Sequence, residues 1–212
     1  MPVLEICPPE SFGPLDAALR GLSDYDWLIL TSSNTVRALV QRARKLGVSL
    51  ASTGTLQVAA VGQGTAAAAR DAGLQITYVP ETYVAESLIK GLAGNMAEKR
   101  VLLAQAAVAR NVIPEAFRAA GAQVDVVAAY RNRMPASAPE RLRAALAEGI
   151  DAATFTSSSS VTHLADAARA RGLAWPFAGV AAVSIGPITT ATLRATSWEP
   201  AVEASQSDIP GL

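Results

Sequence analysis

The sequence predicts an α/β fold with two parallel-sheet lobes, and two observations carry this prediction. The first is a long internal repeat: DWLILTSSNTVRAL, which begins at Asp26, returns as DAATFTSSSSVTHL from Asp151. The second is a series of apolar runs without polar alternation, each followed by a helical pattern. Such runs are typical of strands that a parallel sheet buries on both faces. A repeat of this length indicates two whole domains of similar structure rather than a short solenoid unit.

The predicted elements alternate between strand and helix along the chain. The strands are expected at residues 27–30, 58–61, 101–103, 124–129 and 180–185. The helices are expected at residues 34–46, 65–72, 111–120, 161–170 and 189–195. Four glycines stand where a left-handed residue commonly ends a helix: Gly47, Gly73, Gly121 and Gly172. This order is the βαβ pattern of an open α/β sheet.

The repeat also predicts how the lobes are connected. Residues 80–92 recur as 200–212, and residues 3–9 match 127–133 weakly but in register with the rest. We therefore expect four parts: a linker strand at 1–9, an inserted lobe at 10–123, a second linker strand at 124–135, and a second lobe at 136–212. The second lobe would lack its first strand–helix unit, which would precede Met1. The expected fold is thus two flavodoxin-like lobes joined by two β-linkers, with a ligand cleft between them.

Composition limits the classes of function. The chain has 212 residues, enough for two domains of about 100 residues each. Hydrophobic residues make up 50% of the chain and charged residues 17%, which is typical of a soluble globular protein. The formal net charge is zero, so no bulk positive field would attract nucleic acid or an anionic membrane. One cysteine and one histidine exclude an internal disulfide and a typical zinc site. We expect a metal-free, cytoplasmic protein without a membrane span.

Small hydroxyl residues stand at the two strand ends that the repeat makes equivalent. Each cluster lies between a predicted strand and the start of a helix, where a serine commonly caps the helix. The same place exposes backbone N–H groups and the positive end of the helix dipole, which favour a carboxylate or phosphate. Capping explains one serine, but four in succession exceed that need. We therefore expect part of each cluster to bind ligand: Thr31, Ser32, Ser33 and Asn34 in the first lobe, and Thr156, Ser157, Ser158 and Ser159 in the second.

Two short loops with glycine open the helices that follow the next strands. The loop GQGT contains Gly62, Gly64 and Thr65, and the loop GPIT contains Gly186 and Thr189. Glycine permits close backbone approach, and threonine offers a hydroxyl beside the helix start. Neither loop has the third glycine of a dinucleotide fingerprint or the GK[ST] of a phosphate loop. A tight turn with a capping threonine is the alternative, and the duplication favours ligand binding.

Tyr130 lies in the second predicted linker strand, in the segment AAYRN. A phenol is a neutral hydrogen-bond donor at pH 7 and can act as a weak general acid. The alternative is a half-buried strand tyrosine that faces the crevice between the lobes. His163 has Ala38 as its counterpart in the repeat, so we expect a surface or core residue, and Cys7 is expected to be buried and inert. No Ser-His-Asp set can be assembled from this chain.

These segments together resemble the uroporphyrinogen-III synthase family. The matching pieces, in order, are YDWLILTSSNTVRAL, AAVGQGTAAAARDAG, VVAAYRN, DAATFTSSSSVTHL, and SIGPITTATLR followed by VEASQSDIPGL. Each piece is permissive alone, but the order is specific and spans nearly the whole chain. The resemblance implies two α/β lobes joined by two β-linkers, with one lobe inserted into the other.

The resemblance also implies a reaction and a site. The expected reaction is the cofactor-free closure of hydroxymethylbilane to uroporphyrinogen III, with loss of water and inversion of the last pyrrole ring. The substrate, a linear tetrapyrrole with eight carboxylates, would be held by backbone amides and small hydroxyls of the four loops named above. Tyr130 matches a linker tyrosine that is proposed in the family to help the hydroxyl leave. We expect a monomer.

The ends of the chain depart from the family pattern. The family normally opens with a strand and a helix that carry an RP-containing segment, and it usually continues for a helix beyond IPGL. The sequence therefore predicts a truncated start or a fragment of impaired stability. Two other interpretations remain at this point: a non-catalytic two-lobed carboxylate-binding or regulatory module, and an inactive truncated synthase. A flavodoxin-like nucleotide binder is disfavoured because no conventional phosphate loop is present.

Overall fold

The computed structural model describes residues 1–50 and 54–212 and has an α/β fold, which confirms the predicted fold class. The chain divides into two compact units. The larger unit is Ile6–Arg131, and the smaller unit combines Met1–Glu5 with Asn132–Leu212. The expected domain bounds and the expected cleft stay predictions. None of the helices in these residues is both long and apolar enough to cross a membrane.

The larger unit is built around a five-stranded sheet with five helices. Its strands are β1 (Glu5–Cys7, which begins one residue before the unit), β2 (Trp27–Leu30), β3 (Gln57–Ala60), β4 (Arg100–Ala106) and β5 (Gln123–Arg133, which continues past it). Its helices are α1 (Gly13–Arg20), α2 (Ser33–Leu46), α3 (Gln63–Asp71), α4 (Ala85–Leu92) and α5 (Val112–Ala119). Two short 3₁₀ helices lie at Leu22–Asp24 and Ala93–Asn95.

The sheet order is β1-β5-β4-β2-β3, and β2 pairs in parallel with both β3 and β4, as does β4 with β5. Successive residues of β2 point to opposite faces. Leu28 and Leu30 pack with α1, α2 and α3, whereas Trp27 and Ile29 pack with α4 and α5. All four β2 residues are buried, as expected for a strand covered by helices on both faces.

The smaller unit contains a three-stranded sheet of order β6-β7-β8, with parallel pairing throughout. Its elements are α6 (Ala138–Glu148), β6 (Ala152–Phe155), α7 (Ser158–Ala170), β7 (Ala181–Ser184), α8 (Pro187–Ala195) and β8 (Val202–Glu203). Four aromatic rings form the centre of its core in edge-to-face pairs 4.8–5.6 Å apart: Phe155, Trp175, Phe177 and Trp198. Such pairs add stability beyond the apolar area that they bury.

The internal repeat is present in the backbone hydrogen bonds of the two units. In the larger unit the N–H of Val61 donates to the carbonyl of Leu30, and in the smaller unit Ile185 donates to Phe155, both at 3.0 Å. The strand starts are equivalent as well: the N–H of Gln57 donates to the backbone carbonyl of Asp26, and the N–H of Ala181 donates to that of Asp151, both at 2.8 Å. The repeated sequence therefore specifies the same strand pairing twice.

The four predicted C-terminal glycines are confirmed, since all have the positive φ of a left-handed residue: Gly47 at 67°, Gly73 at 85°, Gly121 at 89° and Gly172 at 62°. Three helices were not predicted. Both α1 and α4 are only 8 residues long, and α6 begins with proline at its first turn.

One part of the repeat folds differently in the two units. Residues 85–92 form α4, whereas the matching residues 205–212 form bends and turns. Pro210 stands where the larger unit has Lys90. Proline lacks the N–H that a helix interior requires, and its ring clashes with the preceding turn.

Candidate functional site

The pairing of the strands brings the predicted loops together in each unit. Leu30, the last residue of β2, pairs with Ala60, the last residue of β3. In the smaller unit Phe155 pairs with Ser184 in the same way. Because the carboxyl ends of parallel strands meet at one edge, the TSSN loop (residues 31–34) and the GQGT loop are neighbours, and so are the TSSS loop (residues 156–159) and the GPIT loop. This carboxyl edge is where open α/β sheets usually bind ligands.

Ser32 is the N-cap of α2 and the centre of a small hydroxyl cluster. Its Oγ accepts a hydrogen bond from the Thr35 N–H at 3.2 Å and lies 3.0 Å from Thr35 Oγ1. The same Oγ lies 3.1 Å from the hydroxyl of Tyr130. Thr31, Ser33 and Asn34 are half-buried around it, and Asn34 accepts from Arg37 at 3.3 Å.

The register of the sheet explains how Tyr130 reaches Ser32. Leu30 pairs with Ala104 of β4, which in turn pairs with Val127 of β5. A register shift after Gln105 then places Ala106 opposite Tyr130, so the tyrosine stands at the level of the loop that follows β2. The tyrosine is only 8% exposed, and its hydroxyl is directed to the carboxyl edge.

In the smaller unit the four serines have different roles. Ser157 is the N-cap of α7 and forms a capping box with Ser160, each side chain bonding the backbone N–H of the other. Ser158 Oγ accepts from the Thr192 hydroxyl at 2.7 Å, which ties α7 to α8. Ser159 Oγ lies 3.5 Å from Asn132 Nδ2, a weak contact to the end of β5. Thr156 is exposed.

Gly62 and Gly186 are the N-cap residues of α3 and α8, and neither helix has a side-chain cap. A Cβ at Gly186 would overlap Ser207 Oγ and crowd Ser207 Cβ, so any larger residue at this position would require the Ser207 side chain to move. Thr65 and Thr189 are buried in the first turns, where they do not cap, so the capping-threonine alternative is wrong. Within residues 1–50 and 54–212 neither hydroxyl has a hydrogen-bond partner, and neither oxygen is fully enclosed.

Each of the four junctions, where a strand is followed through one of these loops by a helix, has a buried serine or threonine at the third helical position. The residues are Thr35 in α2, Thr65 in α3, Ser160 in α7 and Thr189 in α8. Sequence reasoning identified Thr65 and Thr189 but missed Thr35 and Ser160. The signal was available, since both stand three residues after a serine that was expected to cap. The four junctions thus divide into two capped helices, α2 and α7, and two uncapped helices, α3 and α8.

Two arginines near the carboxyl edge of the larger unit form exposed ion pairs. Arg110, in the loop after β4, pairs with Glu86 at 2.5 Å, and this guanidinium holds the pKa of the Glu86 carboxyl below its usual value. Arg131, next to Tyr130, lies 3.8 Å from Glu10. Exposed pairs of this kind are weak, so a carboxylate ligand can compete for the arginines.

The remaining candidate residues do not belong to these junctions. The Nδ1 atom of His163 lies 3.1 Å from the Val3 carbonyl. The histidine is half-buried, which agrees with the expectation that it is a surface or core residue. Cys7 is buried, as predicted. In the part of the chain that the structure describes, no three His, Cys, Asp or Glu side chains are grouped to hold a metal ion.

The opposite edge of the larger sheet, where the strands begin, holds other polar contacts. Asp26 accepts from the Arg100 N–H at 2.8 Å and from Lys99 at 3.2 Å, and these bonds hold the pKa of the Asp26 carboxyl below its usual value. Tyr25 donates to Asp125 at 2.8 Å, and burial together with this bond raises the pKa of Tyr25 to about 12. A shallow pocket of about 350 Å³ adjoins Tyr25 and Asp125.

Comparison with known proteins gives one family. The family model described as Uroporphyrinogen-III synthase HemD matches residues 1–212. A protein named uroporphyrinogen-III synthase from Synechococcus elongatus is 35% identical over 217 aligned residues, which cover 100% of this chain and 82% of that protein. A putative uroporphyrinogen-III synthase from Methanothermobacter thermautotrophicus is 35% identical over 181 residues, or 82% of this chain and 71% of that protein.

A solved structure has the same fold. It is a mutant uroporphyrinogen III synthase from the extremely thermophilic bacterium Thermus thermophilus, with a TM-score of 0.67 at 24% sequence identity. The match covers 95% of this chain and 81% of that chain. Because the family model matches residues 1–212 and a relative named for the same enzyme is 35% identical along the whole chain, the chain belongs to the uroporphyrinogen-III synthase family.

Proposed function

We propose that this chain catalyses the closure of hydroxymethylbilane to uroporphyrinogen III, with loss of water and inversion of the last pyrrole ring. The observation that carries the proposal is the 3.1 Å contact between the Tyr130 hydroxyl and Ser32 Oγ. It joins the one expected proton donor to one of the four expected ligand loops. Membership of the family supports the same reaction.

The proposed binding groups for the substrate carboxylates are the helix starts at the carboxyl edges of the two sheets. The uncapped helices α3 and α8 offer free backbone N–H groups, together with Gly62, Gly64, Thr65, Gly186 and Thr189. Ser32 and Ser157 cap α2 and α7. At these two capped helices the proposed ligand contacts come from the other residues of the loops: Thr31, Ser33, Asn34, Thr156, Ser158 and Ser159. A helix N-terminus favours a carboxylate through its N–H groups and its dipole.

Two tasks then remain for the protein in the proposed reaction. The carbon–oxygen bond of the terminal hydroxymethyl group breaks as the electron-rich pyrrole releases electrons, and Tyr130 donates a proton so that water leaves. The bound chain must also be folded for closure with the last ring inverted. Orientation of this kind can supply much of the rate enhancement without a cofactor, since the reacting atoms are already close.

The proposal also includes a cytoplasmic monomer with the domain bounds expected from the sequence. The observed division of the chain after Glu5 and after Arg131 lies close to the expected linkers at 1–9 and 124–135 and supports those bounds. Light scattering coupled to size-exclusion chromatography tests the monomer, since a dimer would give twice the chain mass of 21.9 kDa.

Product analysis tests the proposed reaction. Purified protein is incubated with freshly prepared hydroxymethylbilane, and the I and III isomers of the product are separated after oxidation. We expect isomer III in large excess, with heat-denatured protein as the control that gives isomer I. If only isomer I forms with natively folded protein, this chain is not a synthase, and the carboxylate-binding module becomes the better interpretation.

A further inference from the structure

Thr35, a residue that sequence reasoning did not select, lies directly behind the contact between Ser32 and Tyr130. It occupies the third helical position of α2, and its side chain is 0% exposed. Both its N–H and its Oγ1 reach Ser32 Oγ, at 3.2 Å and 3.0 Å. Ser32 Oγ is therefore surrounded by three groups that can donate: the Thr35 N–H, the Thr35 hydroxyl and the Tyr130 hydroxyl.

A count of protons and lone pairs decides the direction of these hydrogen bonds. A serine oxygen accepts two hydrogen bonds and donates one. The Thr35 N–H can only donate, so it occupies one lone pair of Ser32. In the part of the chain that the structure describes, the Thr35 hydroxyl has Ser32 Oγ as its single partner. If Thr35 accepted from Ser32, its own hydroxyl proton would be buried without an acceptor, which is costly.

The favoured arrangement has Thr35 donating twice to Ser32. Both lone pairs of Ser32 are then occupied, so Ser32 must donate its proton to the Tyr130 oxygen. The Tyr130 proton cannot point at Ser32 and has no acceptor among the described residues. It is left to point away from Ser32.

We propose that Thr35 is a positioning residue that directs the Tyr130 hydroxyl proton toward the substrate by occupying the last lone pair of Ser32. This inference rests on the proposed function, because it assigns Tyr130 as the proton donor. Without the Thr35 hydroxyl, Ser32 has a free lone pair. The phenol, a stronger donor than an alcohol, then turns its proton toward Ser32 and away from the leaving hydroxyl.

The test compares Thr35→Val, which removes the hydroxyl at nearly constant volume, with Thr35→Ser, which keeps it. We expect Thr35→Val to lower kcat about 3- to 10-fold, the range of one redirected hydrogen bond, with little change in KM. Thr35→Ser should restore most of the rate. In a Tyr130→Phe background Thr35→Val should have no further effect on kcat, because no phenol proton remains to be directed. An equal loss in both backgrounds would reveal structural damage and overturn the proposal.

A second measurement separates this inference from the proposed reaction. The C–O stretching frequency of a tyrosine differs between a hydroxyl that accepts a hydrogen bond and one that only donates. Subtracting the infrared spectrum of Tyr130→Phe isolates the Tyr130 band in each protein. We expect the band to shift in Thr35→Val and to stay in place in Thr35→Ser. An unshifted band in Thr35→Val refutes the inference. A shifted band with no isomer III from the wild type would instead refute the proposed function and leave the hydroxyl orientation standing.

Discussion

Replacing Tyr130 with phenylalanine is the sharpest single perturbation of the proposed site. The change removes one oxygen and leaves the ring, which is 8% exposed, in its place in β5. The lost contact is the 3.1 Å hydrogen bond to Ser32, so the free energy of unfolding should fall by only about 0.5–1.5 kcal/mol. A loss of activity larger than this small change in stability explains must then come from the missing proton donor.

The expected loss of activity is moderate. Positioned proton donors typically contribute about 100- to 10,000-fold, but here the pyrrole itself drives the hydroxyl out, so we expect a loss of about 10- to 100-fold. The assay is the initial rate of isomer III formation from hydroxymethylbilane, with the unfolding midpoint in urea measured in parallel. The variant should still make isomer III, because the loops that fold the substrate are unchanged.

Tyr25→Phe is the matched control for this experiment. The Tyr25 hydroxyl likewise makes one side-chain hydrogen bond, which it donates to Asp125 at 2.8 Å, but at the opposite edge of the same sheet. Its loss should lower stability at least as much, because a hydrogen bond to a carboxylate is stronger than one between neutral hydroxyls, and should leave the rate of isomer III formation unchanged. Wild-type turnover in Tyr130→Phe, or complete loss of activity in a natively folded variant, would refute the role assigned to the phenol.

Three further variants test the fold around the site, each by urea unfolding. Gly186→Ala should destabilise the smaller unit by about 1–3 kcal/mol, because its Cβ would overlap a serine side chain. Its control is Gly64→Ala, whose Cβ meets nothing within 4 Å and which should change stability by less than about 0.5 kcal/mol. Equal effects of the two variants on stability would contradict the close approach at Gly186. Asp26→Asn should lower stability at pH 7 and converge with the wild type as the pH falls through the lowered pKa of the Asp26 carboxyl. A difference in stability that stays the same down to low pH would contradict the stabilising role of the Asp26 carboxylate. Trp198→Ala should cost about 3–5 kcal/mol in the smaller unit, and a smaller loss would mean that the aromatic core is not close-packed.

Local patterns carried most of the fold prediction. The strand Trp27–Leu30 was predicted at its observed bounds, because polar residues, Asp26 and the hydroxyl cluster, mark both ends of the unbroken apolar run. The C-terminal glycines were equally clear, since only a residue without Cβ adopts positive φ at little cost. The helices α1 and α6 were missed because their apolar stripes are short, and the tertiary core decides such segments more than their own pattern does.

The contacts that define the site depend on distant residues. Ser32 and Tyr130 are 98 positions apart, and they meet only because the strand order places β5 beside β4 and β4 beside β2. The register shift after Gln105 sets the level of the tyrosine, and no feature of the sequence marks that shift. Similarly, the close approach of Gly186 to the Ser207 side chain depends on where the chain places Ser207, and the residues next to Gly186 in sequence do not determine that position. Sequence reasoning therefore found the loops, but not the hydrogen bonds that join them.

The fraction of isomer III as a function of protein concentration tests the central claim most directly. Hydroxymethylbilane closes spontaneously to isomer I, so a synthase must compete with that reaction. The account predicts that isomer III rises from near zero toward the whole of the product as wild-type protein is added, and that Tyr130→Phe needs about 10- to 100-fold more protein to reach the same fraction. A fraction of isomer III that stays at the uncatalysed level at every concentration of natively folded protein would contradict the account.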